Sequence, residues 1–178
     1  MKLDLTILGC GSSGGVPRPA LGWGACDPSN PKNRRRRCSI LVERAAPDGK
    51  TQVLVDTSPD LREQLLAADV TKLDGVLFTH EHADHTHGVD DLRGLFIRHR
   101  RRLDAYLDEP TSRAMHARFG YCFMTPPGSD YPPILTEHLR AVDVNISERT
   151  ATAMLYAIKS DTLFFNRQTN RVDLEAFS

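Results

Sequence analysis

Gly75-Val76-Leu77-Phe78-Thr79-His80-Glu81-His82-Ala83-Asp84-His85 decides the reading of this chain. A short apolar run, suited to a buried strand, ends directly in a segment that packs three imidazoles and two carboxylates into six residues. Imidazole nitrogens and carboxylates are the donors that zinc, manganese or iron accept. Residues two apart on an extended segment point the same way, so His80 and His82 can converge on one ion. A strand ending in such a cluster holds its donors at a rigid edge that still faces water. The ordinary alternative is a solvated loop that happens to be rich in His. The adjoining strand argues against it, as does Gly88, which suits a tight turn into a helix.

Outward from this stretch, strands and helices alternate. Leu3 to Leu8 reads as a first strand and Gly9 to Gly24 as a long loop rich in Gly and Pro. Ser39 to Glu43 and Gln52 to Asp56 read as strands joined by a turn at Pro47-Asp48-Gly49. Ser58-Pro59-Asp60 opens a helix, with Ser58 as its cap, Pro59 at its first position and Leu61, Leu65 and Leu66 as its apolar stripe. Val89 to Ile97 is expected to be helical, Leu103 to Leu107 a strand and Pro110 to Phe119 a helix. The alternation places the chain in the α/β class.

With 178 residues there is enough chain for one domain with a core. Lys plus Arg (23) balances Asp plus Glu (23), so no global field draws in nucleic acid or acidic membrane. No apolar run approaches a membrane span, and the N-terminus reaches Gly9 too soon for a signal peptide. The four cysteines are widely scattered and make no disulfide framework. A cytoplasmic protein with reduced thiols is the expectation.

Thr79 to His85, T-H-E-H-A-D-H, resembles the H-x-H-x-D-H signature of the metallo-β-lactamase superfamily. Leu8 to Pro17, Asp27 to Ser39 and Val55 to Asp60 resemble one branch of it, the PhnP-type phosphodiesterases of cyclic ribose phosphates. The tRNA 3′-end nucleases are more distant relatives. The resemblance runs from the start to about Thr136. It implies an αββα sandwich with two divalent ions, zinc or manganese, in one site. By position, His80 and His82 would hold the first ion, and Asp84 and His85 the second. Asp84 would also orient the water that attacks phosphorus, and Asp56 would orient a ligand His by a hydrogen bond. Two such ions clamp a phosphodiester and bring a water's pKa toward neutrality.

Departures from the family pattern matter as much. The family's later segments supply a further ligand His, a bridging Asp and a final His, and none of those contexts is found here. His116 and His138 read as surface histidines. The expectation is therefore the N-terminal portion of the sandwich, residues 1–143, followed by an atypical tail, 144–178. Sheet surface left uncovered would favour self-association. Many relatives also bind a structural zinc through a Cys-x-Cys-x-x-Cys run. Here Cys26 stands with Leu21 and Trp23 at the other two positions, so that zinc is expected to be absent.

Gly9-Cys10-Gly11-Ser12-Ser13-Gly14 formally fits a dinucleotide-binding G-x-G-x-x-G. Pro17 and Pro19 argue against the helix that such a motif must open. The loop is better placed beside the metal site, where Ser12, Ser13 and backbone N–H groups could meet phosphate oxygens. His87 could contact substrate or lie exposed at the start of a helix. The basic runs Lys32 to Arg37 and Arg98 to Arg102 read as solvated surface. Without neighbouring aromatics they make a poor platform for single-stranded RNA. The leading expectation is a metal-dependent phosphodiesterase acting on a small cyclic ribose phosphate. The alternatives are an inactive remnant of the fold, a tRNA-processing nuclease and a basic RNA-binding module.

Overall fold

The computed structural model of the chain describes residues 2–47 and 49–139. The expected break at 143/144 and the atypical tail lie outside the described residues, as does Asp48. Among the described residues, six strands form a single mixed sheet in sequence order: β1 (Lys2–Gly9), β2 (Ser39–Ala46), β3 (Gly49–Val55), β4 (Gly75–Leu77), β5 (Leu103–Leu107) and β6 (Leu135–Leu139). β1, β2 and β3 pair antiparallel. From β3 to β6 every pairing is parallel. The connections between parallel strands carry the helices α1 (Leu61–Ala67), α2 (Ala83–Thr86), α3 (Arg93–His99) and α4 (Glu109–Phe119).

Alternation sorts each strand's side chains onto two faces. Leu41, Leu54, Val76, Ala105 and Leu135 face a core that they share with Leu61 and Leu65 of α1 and Met115 of α4. The other face of β1 leaves Leu3, Leu5 and Ile7 about two-thirds exposed (60%, 66% and 69%). The α/β class of the sequence reading is the class observed. The described residues form one sheet with its helical layer, half of the four-layer sandwich that the resemblance implies. Among them, no helix is long and apolar enough to cross a membrane.

Three local expectations are corrected. Ser58 does not occupy the cap position of α1. That position is Asp60, while the Ser58 hydroxyl accepts from the Asp60 amide at 3.1 Å and donates to Gln64 Oε1 at 2.8 Å. The helix starts later than Pro59, so its inner face carries Leu61, Gln64 and Leu65, and Leu66 is 63% exposed. Gln64 can be buried because its amide also donates to the Arg37 carbonyl at 2.8 Å. The third correction is β6, a strand absent from the sequence reading, which pairs along its whole length with β5. The Gly-rich loop opens no helix. It closes on itself and on Arg35 and Arg36 by backbone bonds, with a cis peptide at Val16-Pro17.

Candidate metal centre

The site is built where β3 and β4 end side by side. Their parallel register pairs Val55 with Leu77, and the Asp56 amide donates to the Leu77 carbonyl at 2.8 Å. Asp56 then turns the chain with a φ of +62°. Asp and Asn enter this left-handed region more readily than other non-glycine residues. The turn buries the Asp56 carboxylate and aims it at the end of β4, where it accepts three hydrogen bonds. The Thr79 amide donates to Oδ1 at 2.7 Å, the Thr79 hydroxyl donates to Oδ2 at 2.7 Å, and His85 Nδ1 lies 2.8 Å from Oδ2.

These contacts bear on two ring tautomers. An ionised Asp56 carboxylate only accepts, so His85 donates to it from Nδ1, and in the neutral ring Nε2 then presents a lone pair. The Thr79 hydroxyl spends its proton on Asp56, so its oxygen is left to accept from His80 Nδ1, 3.0 Å away. His80 Nε2 is then a lone-pair donor as well. One carboxylate thus sets both histidines for metal binding, one directly and one through Thr79. Asp56 lies in hydrogen-bond contact with His85 and, through Thr79, with His80, and Thr79 had been given no role.

The chain changes conformation within the cluster. His80 and His82 lie on extended backbone, and His82 occupies the cap position of α2. Asp84 and His85 ride on that single helical turn. The turn is pinned to the end of β3, because the Thr57 amide donates to the His85 carbonyl at 2.8 Å and the Gly88 amide to the Thr57 carbonyl at 2.9 Å. The Thr86 hydroxyl donates to the His82 carbonyl at 2.9 Å. Gly88 is needed here for space, since a Cβ would lie 2.0 Å from the Ser58 carbonyl oxygen.

The four donors named from sequence come together as two adjacent pairs. His80 Nε2 and His82 Nδ1 are 3.0 Å apart, and Asp84 Oδ2 and His85 Nε2 are 3.2 Å apart. The rings of His80 and His85 link the pairs, with centroids 4.1 Å apart. Tetrahedral ligands with metal–donor bonds of about 2.0–2.1 Å stand roughly 3.3 Å from one another. Donor type and spacing are those a divalent ion would meet at each pair. Among the described residues, no group of three or more His, Cys, Asp or Glu side chains closes on one point as a complete cage would.

The remaining residues fall around this centre. Glu81 lies between the ligands, and its carbonyl accepts from Arg118 Nη1 on α4. His87 is exposed, with Nδ1 3.1 Å from the Thr86 hydroxyl and its ring edge-on to Phe119 at 5.1 Å. Ser12 is engaged by Arg18 at 2.6 Å, and Ser13 is exposed. Their loop reaches the same sheet edge through the Cys38 thiol, which donates to the Gly11 carbonyl at 3.2 Å. The first basic run serves the fold: Arg36 bonds the Glu63 carbonyl at 2.7 Å, and Arg37 pairs with Asp60 at 2.9 Å. The second lies at the opposite edge of the sheet, before β5. His138 is exposed, bonded to Asp104 at 2.9 Å. His116 is half-buried between α4 and β6, 2.9 Å from Glu137. Neither joins the cluster.

Comparison with known proteins agrees with this architecture. The family model of the beta-lactamase superfamily domain matches residues 51–163. An octanoyltransferase of Porphyromonas gingivalis is 37% identical over 121 residues, covering 68% of this chain and 24% of that protein. Coenzyme PQQ synthesis protein B of Methylobacterium nodulans is 34% identical over 107 residues, 51% of this chain and 34% of that one. Among solved structures, a diphosphatase from the PhnP family superposes with a TM-score of 0.63 at 34% identity, covering 82% of this chain and 54% of the other. Zinc-bound PqqB of Methylobacterium extorquens shares the fold, with a TM-score of 0.55 at 20% identity over 80% of this chain and 47% of that one. The chain thus spans about half of those solved structures and a quarter to a third of those two relatives. With the signature pairs in place at the end of β4, the chain belongs to the metallo-β-lactamase superfamily, in its PhnP-like branch.

Proposed function

We propose that this chain is a metal-dependent phosphodiesterase whose substrate is a small cyclic ribose phosphate. The observation that carries the reading is the pairing of His80 with His82 and of Asp84 with His85, with His85 Nδ1 2.8 Å from the Asp56 carboxylate. Divalent ions held by these pairs would supply Lewis acidity toward phosphoryl oxygens and acidify a water. The chain's own residues hold and orient them. Asp56 keeps the protons of His80 and His85 on Nδ1, away from the ions. Asp84 is mostly buried, with 13% of its side chain exposed, and offers a carboxylate acceptor to the attacking water. The similarity to a PhnP-family diphosphatase supports chemistry at phosphoryl groups.

A second reading, a fold that keeps the cluster without turnover, is favoured by the arrangement in pairs, rather than as a closed cage, among the described residues. Elemental analysis of the purified chain, combined with hydrolysis of bis(p-nitrophenyl) phosphate, separates the two. Bound divalent metal together with turnover that disappears in His82→Ala supports the enzyme. Metal without turnover supports the second reading, and absence of both overturns the first.

A further inference from the structure

We propose that a cavity at the opposite edge of the sheet from the metal-binding pairs is a second binding site, and that it takes a small monoanion with a short apolar body and a carboxylate head. The cavity has a volume of about 250 Å³ and lies between α3 and the starts of β4 and β5. The metal-binding pairs stand beyond the other end of β4. Seven residues separate Leu73 from His80, so at about 3.3 Å per extended residue roughly 20 Å of chain parts the two sites. The inference therefore stands apart from the phosphodiesterase reading.

The cavity has an apolar floor and a cationic mouth. Leu73 and Leu103, each only 4% exposed, form the floor with half-buried Leu95. Lys72, His99 and Arg101 complete the lining. Two of these are committed: Lys72 Nζ is 2.8 Å from Asp74 Oδ1, and His99 Nε2 donates to the Thr71 carbonyl at 2.7 Å. Arg101 makes no side-chain hydrogen bond or ion pair among the described residues. Burial pushes the Asp74 carboxyl up, but bonds from Lys72 and Gln52 and the charges of Lys72 and Arg101 outweigh it and hold it below its ordinary 3.8. Arg101 is thus near enough to be felt at Asp74 without being bonded to it. Arg98, Arg100 and Arg102 belong to the same basic run, but Arg101 is the arginine of that run that lines the cavity.

The backbone is turned to bring these groups together. α3 ends at Arg100 in the left-handed conformation, with φ of +53°, a place ordinarily taken by Gly or Asn. A bulkier residue held there marks a turn whose course is over-determined by its surroundings. His99 and Arg101, on either side of that turn, reach the same mouth. The lining then selects the ligand. Three leucines favour an apolar body, and one free guanidinium fork matches the two oxygens of a carboxylate. At about 30 Å³ per non-hydrogen atom, the share of a liquid water, the cavity has room for roughly eight, the size of a six-carbon carboxylate.

Methyl NMR titration of the full chain with hexanoate, hexanol and acetate tests this. Hexanoate is expected to shift the resonances of Leu73, Leu95 and Leu103 with a Kd on the order of 1 mM. Hexanol and acetate each lack one half of the match and should bind at least about tenfold more weakly. Arg101→Gln should weaken hexanoate roughly tenfold and leave hexanol unchanged, and Arg101→Lys, which keeps the charge without the fork, should fall between. Arg102→Gln removes the same charge next door and should alter hexanoate affinity by less than about twofold, as a screened surface charge does. The absence of leucine shifts with hexanoate would overturn the proposal. An equal loss in Arg102→Gln would overturn it too, by reducing the effect to a diffuse basic field. Shifts at His82 and His85 without shifts at the leucines would assign the carboxylate to the metal-binding pairs instead. Should Arg101→Gln fail to fold, hexanol binding as tightly as hexanoate in the unaltered chain overturns the proposal equally.

Discussion

Replacing Asp56 by Asn tests how this site is organised, because the change is nearly isosteric and spares the backbone. Asn tolerates the left-handed conformation that Asp56 adopts, so the +62° turn survives. What changes is the proton inventory. The native carboxylate accepts at 2.7, 2.7 and 2.8 Å. An amide offers one acceptor group and one donor group, and neither orientation satisfies all three partners with the native placement of their protons. With its oxygen toward Thr79 Oγ1 and His85, its NH2 opposes the Thr79 amide N–H. In the other orientation, its NH2 donates to His85 Nδ1 and to the Thr79 hydroxyl. The hydroxyl must then donate to His80 Nδ1, and both rings move their protons to Nε2, where a metal would bind.

The magnitude follows from these alternatives. One opposed or unsatisfied buried donor costs about 1–3 kcal/mol of stability. Loss of such an outer hydrogen bond to metal-binding histidines lowers metal affinity roughly tenfold to hundredfold. Competition with a chromogenic chelator reads the affinity, urea unfolding reads the stability, and long-range nitrogen NMR of the imidazoles reads the tautomers. Thr79→Val should release only His80 and fall between the native chain and Asp56→Asn. Unchanged tautomers and unchanged metal affinity in Asp56→Asn would refute the reasoning, since nothing else in it moves protons between ring nitrogens.

Other consequences are direct. Gly88→Ala places a Cβ 2.0 Å from the Ser58 oxygen and 2.8 Å from Leu61 Cβ, and should cost roughly 1–3 kcal/mol in a urea titration. Burial pushes the Cys122 thiol up to about 11, so at pH 8 a disulfide reagent should label exposed Cys10 in the native chain and reach Cys122 only on unfolding. Burial pushes the Glu137 carboxyl upward, but bonds from Ser112 and His116 outweigh it and hold it below its ordinary 4.5. Its contribution is therefore full above about pH 4.5 and is lost as pH falls through the lower folded value. Melts across that range should show a smaller acid loss in Glu137→Gln.

The parts of the fold legible in sequence were those encoded locally. β5 was read with its observed ends, Leu103 and Leu107, because apolar alternation and flanking charges mark both. The cluster was legible because its donors are neighbours in sequence and their chemistry is in the residue types. β6 was not: of Leu135-Thr136-Glu137-His138-Leu139 only Leu135 is buried, so the strand exists through its pairing with β5 and carries no apolar pattern. The Ser58 cap failed for a related reason. A serine can answer a backbone amide from several positions, and a buried Gln64 decided which. Thr79 left no sequence signal of role, because it acts on a partner brought near only by the fold, Asp56.

The order of events along the chain explains why the site sits where it does. Parallel pairing of β3 with β4 brings two strand ends to one edge, the place where α/β sheets gather ligands. One strand contributes the carboxylate that sets tautomers, and the other contributes the imidazoles. A one-residue slip between them would send alternate side chains to opposite faces, leaving Asp56 without Thr79 and His85 without its proton acceptor. The register is held by Val76 and Leu54, both fully buried on the core face, which a slip would turn outward. Hydrophobic burial in the core and proton placement at the site therefore rest on the same pairing. A core substitution at Val76, remote from any donor, should then disturb the imidazole tautomers as well as stability, and an effect on stability alone would show the two to be separable.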